Sequence, residues 1–173
     1  MRLTPSQTAG PFVHIGCTPH AAGLRFPSAA EVGAAPGGTG MTLALTLLDA
    51  EGAPVTDAMI ETWQADAEGR IGPDETGFAR RTTDGAGRVT IKAARPGRLG
   101  PLAPQIALRI WARGVNRGLL THVWLEDDPT CPLLAAIPAE RRGTVIAADE
   151  GGGRHALTLR LGGEGETVFL DAG

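Results

Sequence analysis

From residue 41 onward the chain divides into short runs of apolar or alternating positions separated by turn signals. Residues 41–48, MTLALTLL, form an apolar run stopped by Asp49, Gly52 and Pro54. In residues 58–65, Met59, Glu61 and Trp63 alternate with Ile60 and Thr62. Residues 105–112 place Ile106, Leu108 and Ile110 on one face and Gln105, Ala107 and Arg109 on the other. A period of two sends successive side chains to opposite faces of a strand, so these segments read as half-buried strands. Residues 78–83, 88–93, 119–125, 143–147, 155–161 and 166–170 read as further strands. Asp84-Gly85-Ala86-Gly87 predicts a hairpin turn, because Asp-Gly reaches positive φ at little cost, so 88–93 is expected to pair back on 78–83. A helical turn is expected within 132–142. Eight or nine short strands without regular intervening helices predict an all-β fold, an antiparallel β-sandwich.

The first forty residues break this pattern. TPSQTAGPFVHIG has neither helical nor strand period; Pro5 and Pro11 stiffen it, while Gly10 and Gly16 let it turn. Two readings stand: a frayed terminus, or an extended N-terminal arm ordered against a neighbour. Residues 27–40, PSAAEVGAAPGGTG, are small and flexible in composition and read as a loop or linker. The chain therefore divides into an arm and loop, 1–40, and a sandwich core, 41–173.

Composition narrows the function. A chain of 173 residues supports one buried core, and 25 glycines with 13 prolines suit many turns better than long helices. A formal charge of −3, from 16 basic and 19 acidic residues, is too balanced to point to nucleic acid or an anionic membrane surface. Cys17 and Cys131 make no C-x-x-C pair and no disulfide framework, and they read as free thiols. The start, MRLTPSQTAGPF, has no apolar signal-peptide core, and no apolar run approaches the length of a membrane span. The expected location is cytoplasmic.

Residue chemistry alone offers little. His14, His20, His122 and His155 share no spacing that puts two imidazoles on one face, and each reads first as a surface or core histidine. Ser6 and Ser28 lie outside any nucleophile elbow. Gly37-Gly38-Thr39-Gly40 leads into a strand, where a phosphate cradle needs a helix. Glu126-Asp127-Asp128 reads as a solvated strand end before it reads as a cation site. The pairs Arg80-Arg81 and Arg141-Arg142 read as exposed faces. Arg109 and Arg113 follow an apolar alternation closely, which suits either a carboxylate-holding guanidinium or a surface ion pair. Thr8 to Pro11 would let backbone approach a ligand or partner closely. These residues by themselves specify a β-sandwich without specifying its task.

Longer phrases carry more. TPSQTAGPF with VHIG at 4–16, ETWQADAEGR at 61–70, LAPQIALRIWARG at 102–114 and GEGETVFLD at 163–171 keep their order almost end to end. In these the chain resembles the intradiol ring-cleavage dioxygenases, and among them the α subunits of two-chain enzymes that act on protocatechuate. The family fold is a β-sandwich, in agreement with the strand pattern. Catalytic chains of the family hold ferric iron with two tyrosines and two histidines. At the matching places this sequence has Ile71 after Gly69-Arg70, Arg98 and Leu99 after Ala94-Arg95-Pro96-Gly97, and Pro104-Gln105-Ile106-Ala107 for the histidine pair; tyrosine is absent throughout. A ferric site needs hard oxygen donors and imidazoles in fixed geometry.

The resemblance implies that this chain binds no iron and that a homologous β subunit binds it. It implies an arm that reaches the site at the α/β interface, with Thr8, Gly10 and Pro11 lining the substrate pocket. Arg113 would stand near the same site, its charge favouring an anionic substrate. The implied reaction takes 3,4-dihydroxybenzoate (protocatechuate) and O2 to 3-carboxy-cis,cis-muconate, in the β-ketoadipate route of aromatic catabolism, within a higher-order αβ oligomer. Two competing expectations are a β-sandwich binding module without a catalytic role, and an enzyme using other ligands such as His14 and His122 with a carboxylate.

Overall fold

A computed structural model describes residues 4–24, 40–72 and 77–171; most of the loop expected at 27–40 lies outside the described residues. Among the described residues, eight strands build two four-stranded sheets. They are β1 (Met41–Leu48), β2 (Met59–Gln64), β3 (Phe78–Thr82), β4 (Arg88–Ala93), β5 (Gln105–Trp111), β6 (Leu119–Trp124), β7 (Ala148–Gly151) and β8 (Arg154–Arg160). One sheet runs β4-β1-β8-β7, the other β3-β2-β5-β6. The predicted sandwich is present.

The alternation seen in sequence is what closes the two sheets on one another. Met41, Leu43, Leu45 and Leu47 of β1, with Val89 and Ile91 of β4, face Ile60 of β2, Ile106, Leu108 and Ile110 of β5 and Val123 of β6, all buried. Fully burying a Leu or Ile side chain contributes about 1.5–3 kcal/mol, so these positions hold the sheets face to face. A second cluster lies outside the β5-β6 sheet. There Trp124 packs with Cys131, Leu134, Ile137 and Val145 under a short helix, Pro132–Ala135, and a 3-10 turn, Ala139–Thr144. The helical turn expected within 132–142 is thus two turns, anchored on that tryptophan.

Several local expectations give way to tertiary pairing. The Asp84 turn forms as read: its Oδ1 accepts the N–H groups of Ala86 and Arg88 at 2.8 and 2.9 Å, and Gly87 has φ +70°. It does not make a hairpin, because β3 pairs with β2 and β4 pairs with β1. The turn carries the chain from one sheet to the other. Residues 143–147 are not a strand; they leave the 3-10 turn and meet β6 at one bridge, Ile146 to Trp124. Residues 166–170 touch the sheet at one bridge, Leu170 to Leu120. The Thr167 hydroxyl accepts the Arg160 N–H at 2.9 Å, and the Thr167 N–H donates to the Arg160 carbonyl at 3.0 Å. Those bonds fasten the tail beyond β8 without a ladder. The exposed edge strand β7 was not expected, and β1 and β8 pair in parallel at the centre of an otherwise antiparallel sheet.

The arm also departs from a wholly extended form. Residues 4–10 have no regular structure, but Pro11–Cys17 form a helix, α1. Proline stands at its first turn, where the missing N–H costs nothing and the fixed φ suits the helix. Phe12 is 81% exposed and Ile15 40%, so the helix buries little of its apolar surface in this chain. Arg80 reaches the end of α1, donating from Nη1 to the Cys17 carbonyl at 3.4 Å, and its Nε and Nη2 hold Glu61 Oε1 at 2.9 and 2.5 Å. Arg80 is therefore a half-buried ion-pair member and not simply an exposed face.

Candidate functional site

The end of the β2-β5 pair where Met59 faces Trp111 meets the arm. Strand β5 finishes at Trp111, and a turn closed by the Val115 N–H on the Ala112 carbonyl (3.2 Å) projects Arg113 outward. Thr8 Oγ1 accepts the Gly114 N–H at 2.7 Å and so fastens the arm to that turn. On the other side of Arg113 lies Asp57, in the loop entering β2, and the Arg113 Nε–Asp57 carboxylate ion pair is close. The backbone carbonyl of Asp57 takes a hydrogen bond from His14 Nε2 at 3.0 Å. A carbonyl only accepts, so Nε2 carries a proton, and Nδ1 lies 3.0 Å from the Thr18 hydroxyl.

Together Ala9, Gly10, Val13, His14, Asp57, Trp111 and Arg113 line one cavity of about 410 Å³. The structure therefore brings Gly10 and Arg113 into one wall, with Thr8 bonded beside them; Pro11 follows Gly10 as the first residue of α1. Gly10 has φ −113°, open to any residue, and a Cβ there would meet no atom within 4 Å. Nothing among the described residues requires glycine at position 10. Asp57 and His14 complete the site without any signal in their local sequence: Asp57 stands in a featureless Val-Thr-Asp stretch, and only its distance from the arm in space makes it relevant.

Arg109 takes a different place. It lies on the outer face of β5, its guanidinium 4.9 Å from the Trp111 ring centroid, and lines a second cleft with Asn116, Arg117 and Leu170. The acidic trio is paired, Glu126 with Arg95 at 3.6 Å, Asp127 with Arg142 at 3.9 Å and Asp128 with Arg98. Hydrogen bonds from Thr130 and Arg98 hold the Asp128 carboxyl down to about 2. A solvated, ion-paired strand end is what the three acids form.

The positions matched to family iron ligands can be followed on the same sheet. Gln105 and Ala107 stand on the outer face of β5, Ala107 directly opposite His122 of β6. Arg98 is tied to Asp128, and Ile71 is exposed. Gln105 Oε1 and His122 Nδ1 are buried without a hydrogen-bond partner, and burial pushes the His122 pKa down. His14 belongs to the Trp111 end of β5, four residues from Ala107, or roughly 13 Å along the strand. The structure does not join His14 and His122, and no group of three or more His, Cys, Asp or Glu side chains among the described residues is placed to hold a metal.

What the shared phrases keep is architecture. Gln64 Nε2 donates to the Ala94 carbonyl at 2.8 Å. Asp66 accepts the backbone N–H groups of Glu68 and Arg70 at 3.0 and 2.8 Å, bonds that lower its pKa, with the Arg70 N–H contributing most. The Asp66 carbonyl accepts the Gly97 N–H at 2.8 Å. ETWQADAEGR and ARPG are thus two loops locked into one another.

Comparison with known proteins agrees with this fold and these phrases. No family profile matches the chain. The protocatechuate 3,4-dioxygenase alpha chain of Pseudomonas putida is 36% identical over 192 residues, covering 97% of this chain and 96% of that one. The alpha chain of the same name from Burkholderia cepacia is 34% identical over 193 residues, covering 99% and 98%. Among solved structures, the dioxygenase domain of a dioxygenase–carbohydrate-binding fusion from Streptomyces sp. SirexAA-E superposes with a TM-score of 0.59 at 16% identity, covering 95% of this chain and all of that one. Catechol 1,2-dioxygenase from Pseudomonas arvilla C-1 gives a TM-score of 0.52 at 19% identity, covering 69% of this chain and 51% of that one. These two structures bear on the fold. No helix among the described residues is long and apolar enough to cross a membrane. With more than a third of its residues identical to one relative and matched across nearly the whole length of both, this chain belongs to the protocatechuate 3,4-dioxygenase alpha-chain family, on an intradiol dioxygenase fold.

Proposed function

We propose that this chain is the iron-free α subunit of a two-chain protocatechuate 3,4-dioxygenase. With a homologous, iron-bearing β subunit it converts 3,4-dihydroxybenzoate and O2 to 3-carboxy-cis,cis-muconate in the cytoplasm, as part of the β-ketoadipate route. Residues 1–40 pack on the partner and residues 41–173 form the sandwich that carries them. The partner's ferric ion supplies the oxidative ring opening. This chain's residues shape the pocket, exclude water and present a cation to the substrate carboxylate.

The observation that carries this reading is the cavity shared by Gly10 and Arg113, with Thr8 clamped to the adjoining turn. A guanidinium is the group best suited to a planar carboxylate. Glycine at 10 leaves the cavity wall bare, and no contact among the described residues asks for it. Exposed Phe12 and Ile15 on α1 give the arm an apolar surface for a partner to cover. The donor set at the matched ligand positions, an amide, a methyl group, a guanidinium and branched alkyl chains, does not fit ferric iron. Those observations favour the α role over an independent enzyme or a bare binding module.

Purified alone and supplied with iron, the chain is expected to hold none by metal analysis and to cleave no protocatechuate. Adding the iron-bearing subunit is expected to restore turnover. Stoichiometric iron in the lone chain, or ring cleavage without a partner, would overturn the proposal.

A further inference from the structure

We infer that Asp57 is a positioning residue: it holds the Arg113 guanidinium in place for an anionic aromatic substrate and locks that placement to the docking of the arm. The inference rests on the reading of Arg113 above and adds the element that reading lacks. The Arg113 side chain is 79% exposed and long, so its own turn does not fix where its charge lies. Asp57 pairs with it at Nε, and the guanidinium's remaining N–H donors stay available to a second anion. Among the described residues lining the cavity, Asp57 is the only carboxylate.

Asp57 is itself firmly mounted. The next residue, Ala58, is fully buried, and its N–H donates to the Thr83 hydroxyl at 3.0 Å while its carbonyl accepts the Thr83 N–H at 3.0 Å. Two residues earlier, the Val55 N–H bonds the Leu47 carbonyl at 3.0 Å. The anchor thus rests on both sheets. Its side chain holds Arg113, and its carbonyl holds His14 of α1. Thr8 closes the frame from the other side of the turn through Gly114. One loop therefore sets the arm and the cation together. An arginine already held gives up less freedom when the substrate arrives, and preorganisation of this kind appears as affinity.

The test uses the assembled two-chain enzyme, with protocatechuate (anionic) and catechol (neutral) as probes. Asp57→Asn, close in size, removes the charge; Asp57→Glu retains it and guards against a folding artefact, with melting curves run on both. For Asp57→Asn the KM for protocatechuate is expected to rise about 3- to 10-fold, with kcat and catechol kinetics little changed. Asp57→Glu should recover most of the loss, and in an Arg113→Ala background Asp57→Asn should add nothing. A fall in KM would mean that Asp57 competes with the substrate, and an equal rise in the Arg113→Ala background or with catechol would mean that it acts elsewhere; each overturns the inference. If Arg113→Ala raises KM but Asp57→Asn does not, the Asp57 inference alone fails. If Arg113→Ala itself leaves protocatechuate KM unchanged, the reading of Arg113 fails first.

Discussion

In the assembled enzyme, Arg113→Ala is expected to raise the KM for protocatechuate about 10- to 100-fold, with the partner's iron content and the chain's fold intact. The size follows from hydrogen bonds to a charged group, which contribute about 1.5–3 kcal/mol each, where 1.4 kcal/mol is tenfold. The fold should hold because the side chain is largely solvent-exposed and its ion pair with Asp57 is a surface pair, of the kind that contributes about 0–1 kcal/mol. A cation that binds the substrate carboxylate before and during reaction acts mainly on KM and not on kcat. Catechol, with no carboxylate to lose, should be affected far less. Steady-state kinetics on both substrates, with iron quantified in each preparation, make the comparison. A drop in kcat shared by the two substrates, or loss of iron, would place Arg113 in the assembly and not in the substrate pocket.

Gly69→Ala should lower stability by about 2–5 kcal/mol. Its backbone has φ +78°, a conformation costly for any residue with a Cβ. An added Cβ would also lie 1.9 Å from the Arg98 carbonyl oxygen and 2.8 Å from its carbon, both backbone atoms that cannot swing aside. At about 2–4 °C per kcal/mol for a chain of this size, the melting temperature should fall by roughly 5–15 °C. Gly10→Ala is the matched control, with negative φ and open space around the new atom, and the isolated chain should melt as before. An unchanged melting temperature for Gly69→Ala would contradict the interlocked loops. The pair separates a glycine that packs the fold from one that no contact among the described residues requires.

The strand faces were legible because burial imposes a period of two: Ile106, Leu108 and Ile110 face the core with no exception. Partner choice was not legible, since it is set by contacts far apart in sequence. The Asp84 turn has the side-chain bonds its sequence calls for, yet the strands it joins enter different sheets. Residues 166–170 have strand-like composition, but the Thr167 bonds to Arg160 take up the backbone and leave one bridge to β6. Helix α1 left a readable trace in Gly10-Pro11, because proline at a first helical position is preorganised, but seven residues are too few to show a period. At the site, Arg113 and Thr8 to Pro11 stood out weakly in the residues and took their roles from resemblance, and the structure puts Gly10 and Arg113 in one cavity wall. Asp57 was missed, and His14 was read only within the arm phrase and as a candidate ligand, for a physical reason. Their roles come from a carbonyl–imidazole bond and an ion pair across 43 and 56 positions, and no local motif encodes either.

The central claim is that the chain works as one half of an iron enzyme. Tagged chain drawn from its native source, with mass identification of co-purifying protein and iron counted against both, tests it most directly. The expected result is a homologous second chain rich in the tyrosines and histidines this one lacks, with about one iron per pair, as a single four-ligand site per pair requires. A lone chain, with or without iron, would contradict it.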